Sequence, residues 1–239
     1  LHEWNLLNPP EFTGLVNYRR LIVDPDARHA LGVTLIYLGG YVPLSIVGAL
    51  MLALAMNAKI RGISFFRAVY FIPVVSSTIA VGLMFRWVYN YEFGMLNYLL
   101  NTVFDTLHLP FSGPPWLQDP GWAMPAIILM SVWQRLGYNM VIFLAGLQGV
   151  PQHYYEAAMI DGAGRWRLFR HITLPLLTPS IFFVLVISMI GAFQVFEQSY
   201  IMTSGGPARS TVTLVYYLYE NAFEWASMGY ASAIAWFLC

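Results

Sequence analysis

Residues 30–56 read ALGVTLIYLGGYVPLSIVGALMLALAM, without a single Asp, Glu, Lys, Arg or His. About 20 apolar residues in a helix cross the hydrocarbon core of a bilayer, and this stretch exceeds that. Pro43 lies inside it, which membrane helices tolerate because neighbouring groups satisfy the freed carbonyl. The stretch predicts a membrane-spanning helix. Since lipid leaves no water for backbone polar groups, only helices or closed barrels span it, and a run this long and continuous belongs to the helical class.

Three more stretches follow along the chain. Residues 68–90 are uncharged from Ala68 to Phe85, with Arg67 and Arg86 at the edges. Residues 122–149 are apolar except for Arg135, and residues 176–198 are uncharged as far as Phe196. A fifth apolar run, 227–239, is too short to cross. The sequence therefore predicts an all-α, polytopic integral membrane protein. With Leu at position 1, it also reads as a chain cut at both ends, lacking a first span and the end of the last.

Composition agrees. Of 239 residues, 58% are hydrophobic and only 10% charged, with a mean hydropathy of +0.59. Soluble domains carry roughly 25% charged residues, so this chain cannot cover a water-facing surface, and disorder is excluded by the same numbers. Twelve basic residues balance twelve acidic ones, and no basic tract suggests nucleic acid. The single Cys239 excludes an internal disulfide framework and a multi-cysteine metal site.

Charge placement predicts the topology. The connection 57–67 carries Lys59, Arg61 and Arg67 and no acid, and 150–173 carries Arg165, Arg167 and Arg170. The stretch 92–119 has Glu92, Asp105 and Asp119 and no Lys or Arg. The positive-inside rule places the first two in the cytoplasm and the third outside. Residues 199–226, with Glu220, Glu224 and only Arg209, also belong outside; the opening segment over 1–28 then lies outside too, despite Arg19, Arg20 and Arg28, as a missing preceding span would deliver it. Helical spacing over 17–21 and 95–108, and a Pro/Gly/Trp-rich turn over 110–120, give the outside loops some structure.

No catalytic motif stands out. There is no G-x-x-x-x-G-K-[ST], H-E-x-x-H or G-x-S-x-G. His2, His29, His108, His153 and His171 are scattered over loops on both predicted sides, so no metal site is expected. The chain reads as no enzyme.

The connection between the third and fourth spans is the informative one: Val150-Pro-Gln-His-Tyr-Tyr-Glu-Ala-Ala-Met-Ile-Asp-Gly-Ala-Gly-Arg-Trp-Arg-Leu-Phe-Arg-His-Ile-Thr-Leu-Pro175. Pro151 suits the first turn of a helix, with Tyr155, Ala158 and Met159 on one face. Gly162 suits the left-handed stop. A second helix over 165–172 would end with Arg170 and His171 at its negative terminus, and Leu174-Pro175 would restart the chain as a span. Met159, Ile160, Trp166 and Phe169 would be left exposed for a partner. An amphipathic connector lying on lipid is the bland alternative.

The spacing Glu156-Ala157-Ala158-x3-Gly162-x9-Ile172-x-Leu174-Pro175 resembles the EAA loop of permease subunits of binding-protein-dependent ABC importers. Phe12-Thr13-Gly14-Leu15-Val16-Asn17-Tyr18, Leu144–Gln148, Gly205-Gly206-Pro207 and Met228–Ala233 are similar to the carbohydrate-uptake branch, which includes maltose and glycerol-3-phosphate permeases, in its first-permease type. The resemblance implies a type I ABC importer transmembrane domain (MetI-like) over 29–239, with 150–175 as the cytoplasmic coupling loop. It implies a second permease subunit, two ATP-binding subunits holding ATP and Mg, an extracytoplasmic solute-binding protein, and a bacterial or archaeal cytoplasmic membrane. This chain would bind no cofactor itself. The coupling role falls on Glu156, Ala157, Ala158, Asp161, Gly162, Ile172, Leu174 and Pro175, with Glu156 meeting basic residues of the ATPase.

Ser131, Gln134, Arg135 and Tyr138 recur at i, i+3, i+4 and i+7 on the third span. An Arg near mid-bilayer costs roughly 2.5–3.5 kcal/mol on insertion scales and faces a wet cavity or a partner. Arg135 reads equally as a solute contact or as the partner of a structural acid, for which Glu197 on the next span is the candidate. Ser188, Gln194 and Asn139 complete a sparse polar set; Trp87 and Trp133 read as packing or interface aromatics. The resemblance implies that the fourth and fifth helices of such permeases face the sugar, which falls on this region. A secondary transporter or channel would place carboxylates within its spans and show repeat symmetry; Glu197 stands alone and no repeat is visible. A membrane scaffold would have no use for the polar face around Arg135.

Overall fold

The computed structural model describes residues 2–4, 9, 11–57, 62–108 and 112–238. Lys59 and Arg61, on which part of the charge argument rests, lie outside the described residues, as do Pro110 and Cys239. A short antiparallel pair, β1 (His2–Glu3) and β2 (Glu11–Phe12), pairs His2 with Phe12 and Glu3 with Glu11. The other elements are helices: α1 (Val16–Val23), α2 (Pro25–Met56), α3 (Ile63–Val75), α4 (Thr78–Val88), α5 (Met95–Thr106), α6 (Pro120–Gln148), α7 (Gln152–Ile160), α8 (Arg165–Leu168), α9 (Leu174–Leu176), α10 (Thr178–Phe193), α11 (Glu197–Thr203), α12 (Leu214–Tyr219) and α13 (Met228–Leu238). Helices α2 and α6 are each long and apolar enough to cross a membrane; α3 with α4, and the 165–193 stretch, pass only as bent pairs.

Helix α2 begins earlier than the charge-free stretch suggests. Asp24 Oδ1 accepts the N–H of Asp26 at 3.0 Å, which makes it an N-cap, and Pro25 at the first helical position has no N–H to lose. Asp26, Arg28 and His29 therefore ride on the same helix as the apolar residues.

The 68–90 stretch is helical in two pieces, α3 and α4, which pass as a span only when taken together. Pro73 cannot donate to the turn before it, and Ser76 and Ser77 are extended, with ψ of 143° and 132°. Ser76 satisfies carbonyls left open at the end of α3: its N–H donates to Pro73 O at 3.3 Å and its hydroxyl to Ile72 O at 3.1 Å. The 176–198 stretch is likewise interrupted, since α10 stops at Phe193 and α11 starts at Glu197 after a non-helical Phe196 with φ −142°.

The chain divides into two compact units, one of residues 1–40, 77–130 and 191–239, the other of 41–76 and 131–190. In the first, Leu21, Ala27, Ala30, Val212, Leu214, Tyr216, Tyr217, Tyr230 and Ile234 form the core. Polar groups pin it: Tyr217 and Tyr230 hydroxyls donate to Asp24 Oδ2 at 2.7 and 2.6 Å, and Thr34 Oγ1 accepts the N–H of Leu214 at 2.9 Å. Arg209, read from sequence as the lone base of an acidic loop, pairs with Glu220 at 2.7 Å, which raises its pKa through that hydrogen bond against the cost of burial.

In the second unit, Ala49, Ala53, Met140, Phe143, Leu144, Leu147, Leu177 and Val184 form the core. Small residues let the helices touch. A Cβ at Gly137 would run into the Tyr70 carbonyl of α3, so α3 and α6 meet backbone to backbone there. Asn139 donates to Ser45 Oγ at 2.8 Å, a buried tie between α6 and α2.

Candidate coupling and pathway sites

Helix α7 leaves the end of α6 through Pro151, which stands at the N-cap (φ −62°, ψ 131°) one residue before the first helical turn. Its end is a Schellman motif. The N–H of Gly162 donates to Met159 O at 3.0 Å and that of Ala163 to Ala158 O at 2.9 Å, with Gly162 at φ +76°. No atom lies within 4 Å of where a Gly162 Cβ would stand, so the glycine is required by conformation and not by space.

The second arm differs from the sequence expectation. The chain does not stop at Ile172 and restart at Leu174; it stays helical from Arg165 to Leu176 and bends by 63° only before Thr178. The bend falls where Pro179 lacks the N–H that would reach the Pro175 carbonyl and crowds it, while Pro175 acts one turn further back, at the His171 carbonyl. A π-turn over Phe169–Thr173 widens the helix there, with Leu174 N–H reaching Phe169 O. Arg170 and His171 consequently lie within a continuous helix and not at a terminus. His171 Nδ1 contacts Arg167 O at 3.1 Å.

The surface of this V is apolar and charged by turns. Ile160 is 87% and Trp166 72% exposed, and Met159 is exposed beside them; the Trp166 and Phe169 rings lie 5.6 Å apart. Glu156, Ala157 and Asp161 are exposed, Ala158 and Ile172 half-buried. Glu156 Oε1 accepts the Gln152 amide at 2.8 Å, which steadies the carboxylate without burying it. A pocket of about 410 Å³ opens between the arms, lined by Ala158, Asp161, Ala163, Arg167, Leu168, His171 and Ile172. Leu174 is half-buried and Pro175 exposed.

The arms are also joined by a contact that the sequence reading missed: Tyr155 OH lies 3.0 Å from Thr173 Oγ1. Spacing puts Tyr155 on one face of α7 with Ala158 and Met159, but its partner stands eighteen positions on in sequence, beyond helical periodicity.

The polar set on α6 is divided. Ser131 (2% exposed) and Gln134 (5%) are buried, Tyr138 is half-buried, and Arg135 is exposed. Gln134 Nε2 donates to Ser76 O at 3.4 Å, serving the broken end of α3. Among the described residues Arg135 is in no ion pair. Ser188 is buried within α10, and Gln194, just past its end, is exposed. No group of three or more His, Cys, Asp or Glu among the described residues is placed to hold a metal ion.

Residues 30–239 match the model of the family described as binding-protein-dependent transport system inner membrane component. The probable ABC transporter permease protein YurN of Bacillus subtilis is 38% identical over 239 residues, 98% of this chain and 80% of that one. The lactose transport system permease protein LacF of Rhizobium radiobacter is 39% identical over 232 residues, covering 95% and 76%. Among solved structures, a bacterial ABC transporter involved in the import of the acidic polysaccharide alginate superposes with a TM-score of 0.82 over 95% of this chain and 78% of that one, at 22% identity, a likeness of fold. A helical chain built around apolar spans, matched by the family model over residues 30–239, belongs to the binding-protein-dependent transport system inner membrane components: it is an ABC transporter permease.

Proposed function

We infer that this chain forms half of the translocation pathway of an ATP-driven importer for a sugar, a related polyol or a sugar phosphate, and that residues 150–175 couple it to ATPase subunits. The observation that carries the coupling is the exposed V of α7 and α8, whose Glu156, Ile160 and Trp166 are held out from the chain by a glycine-stopped turn. Such a mix of charge and large apolar side chains suits a protein groove: an exposed apolar patch of this kind marks an interaction site. The sugar class is supported by LacF, whose name gives lactose transport, and by the resemblance of the Phe12–Tyr18 segment.

The partners are a second permease subunit in a heterodimer, two ATP-binding subunits that hold ATP and Mg, and an extracytoplasmic solute-binding protein. The chain itself performs no chemistry. Its loops 57–67 and 150–173 face the cytoplasm of a bacterial or archaeal cell, and 92–119 and 199–226 face outside. Ser131, Gln134, Arg135, Tyr138, Ser188 and Gln194 are the pathway residues of this reading; the exposure of Arg135 in the chain alone favours a wet cavity over a structural acid within the chain.

The test is uptake. The complete complex in proteoliposomes, supplied with its binding protein and internal ATP, is offered radiolabelled disaccharides, polyols, sugar phosphates and amino acids. ATP-dependent accumulation of a member of the first three classes is expected. Accumulation without ATP, or of amino acids alone, would refute the reading.

A further inference from the structure

The two arms of the 150–175 connection meet at one hydrogen bond that nothing in the coupling motif accounts for. Tyr155, on α7, is half-buried, and Thr173 is 5% exposed at the end of the π-turn. Their hydroxyls lie 3.0 Å apart. Thr173 Oγ1 also reaches back to Leu168 O at 3.5 Å. A hydroxyl has one proton, so with Thr173 donating to the Leu168 carbonyl, Tyr155 donates to Thr173.

The placement gives that bond a mechanical meaning. Gly162 and Gly164 separate the arms, and a Cβ at neither would meet an atom within 4 Å. With no side chain at either glycine to stiffen the turn, a load on α7 would be taken up there if the arms were joined by backbone alone. Thr173, by contrast, directly precedes Leu174 and Pro175, and its carbonyl accepts the N–H of Leu177 at 3.0 Å, across the end of α9. Leu177 is fully buried in the core that holds α6 and α10 together. A push on α7 thus has a short rigid route: Tyr155 to Thr173, Thr173 to Leu177, Leu177 to the spans.

We propose that Tyr155 is a positioning residue of the coupling loop, bracing α7 against Thr173 so that displacement of α7 by the ATPase moves the spans and not the glycine turn. The proposal rests on the reading of 150–175 as the coupling element. The π-turn fits this role, since such bulges recur at functional positions and this one sets Thr173 toward Tyr155.

The test uses the whole complex in proteoliposomes and reads solute transported per ATP hydrolysed, together with ATPase copurification. Tyr155→Phe keeps the ring and removes the hydroxyl. It is expected to retain the ATPase and its hydrolysis while transport per ATP falls about fivefold, the weight of one ordinary net hydrogen bond. Thr173→Val is expected to do the same, Thr173→Ser to stay near wild type, and the Tyr155→Phe/Thr173→Val pair to be no worse than either single change. A role in folding alone would lower the amount of complex and leave the ratio unchanged. Glu156→Lys run in parallel separates the two ideas. If Glu156→Lys uncouples but Tyr155→Phe keeps the wild-type ratio, or if the two single losses multiply in the pair, the brace is wrong. If Glu156→Lys and Tyr155→Phe both transport normally, the coupling reading falls and the brace with it.

Discussion

Gln134 donates its side-chain amide to the backbone carbonyl of Ser76 at 3.4 Å, at the point where α3 ends. A residue offered by spacing as a solute contact thus also serves the carbonyl left at a helix break. The two roles separate by experiment, because Tyr138 on the same side of α6 has no such duty.

Tyr138→Phe is expected to lower uptake while complex yield and thermal stability stay unchanged. Gln134→Ala is expected to lower both, since a polar group left unpaired in an apolar setting costs about 1–3 kcal/mol. Transport assays paired with unfolding in detergent check this. Normal uptake by both variants would remove this face from the pathway.

Gly162 stands at φ +76° with open space around it, so substitutions should rank by backbone preference and not by size. Gly162→Asn, which tolerates the left-handed region, is expected to keep most transport. Gly162→Val should lose it, because a β-branched residue at positive φ is strained at a cost of about 1–3 kcal/mol. Equal loss for both would mean that the space, not the conformation, matters.

Asp24 makes a pH prediction. Burial pushes its carboxyl up, but hydrogen bonds from Tyr230, Tyr217 and the N–H groups of Asp26 and Ala27 outweigh this and hold it below its usual 3.8. A depressed carboxylate contributes stability that is present above the unfolded value and is lost as pH falls through the folded one. The melting temperature of the purified protein is therefore expected to be steady from neutral pH down to about 4 as far as this group is concerned, and to fall below 3.8. Asp24→Asn should be less stable at neutral pH and show a shallower acid limb. An identical acid limb in the variant would show that Asp24 is not the group responsible.

Much of this was readable in the residues. Charge-free runs such as Ala30–Met56 mark helices because nothing in them needs water, and α2 and α6 are the helices long and apolar enough to cross a membrane by themselves. The glycine stop at Gly162 was legible because a positive φ is a local demand with a local signature. The break at Ser76 was not: Pro73 looks like Pro43 or Pro125, which sit inside continuous helices. What distinguishes Pro73 includes the Gln134 amide beside its free end, a partner supplied by α6. The bond from Tyr155 to Thr173 and the pair of Arg209 with Glu220 escaped for the same reason. Each is a tertiary contact between residues whose spacing fits no single helix or strand.

Glu156 tests the account at its centre. It is exposed on α7, held by Gln152 at 2.8 Å, and free to meet a basic groove; truncating one side of a desolvated charge pair costs about 2–5 kcal/mol, and reversing it costs no less. A connector lying on lipid would welcome the added positive charge of Glu156→Lys near anionic headgroups. The decisive measurement is copurification of the ATPase subunits with membrane-inserted Glu156→Lys. Loss of the ATPase together with loss of uptake is the predicted result, and retention of both at wild-type levels would contradict the account.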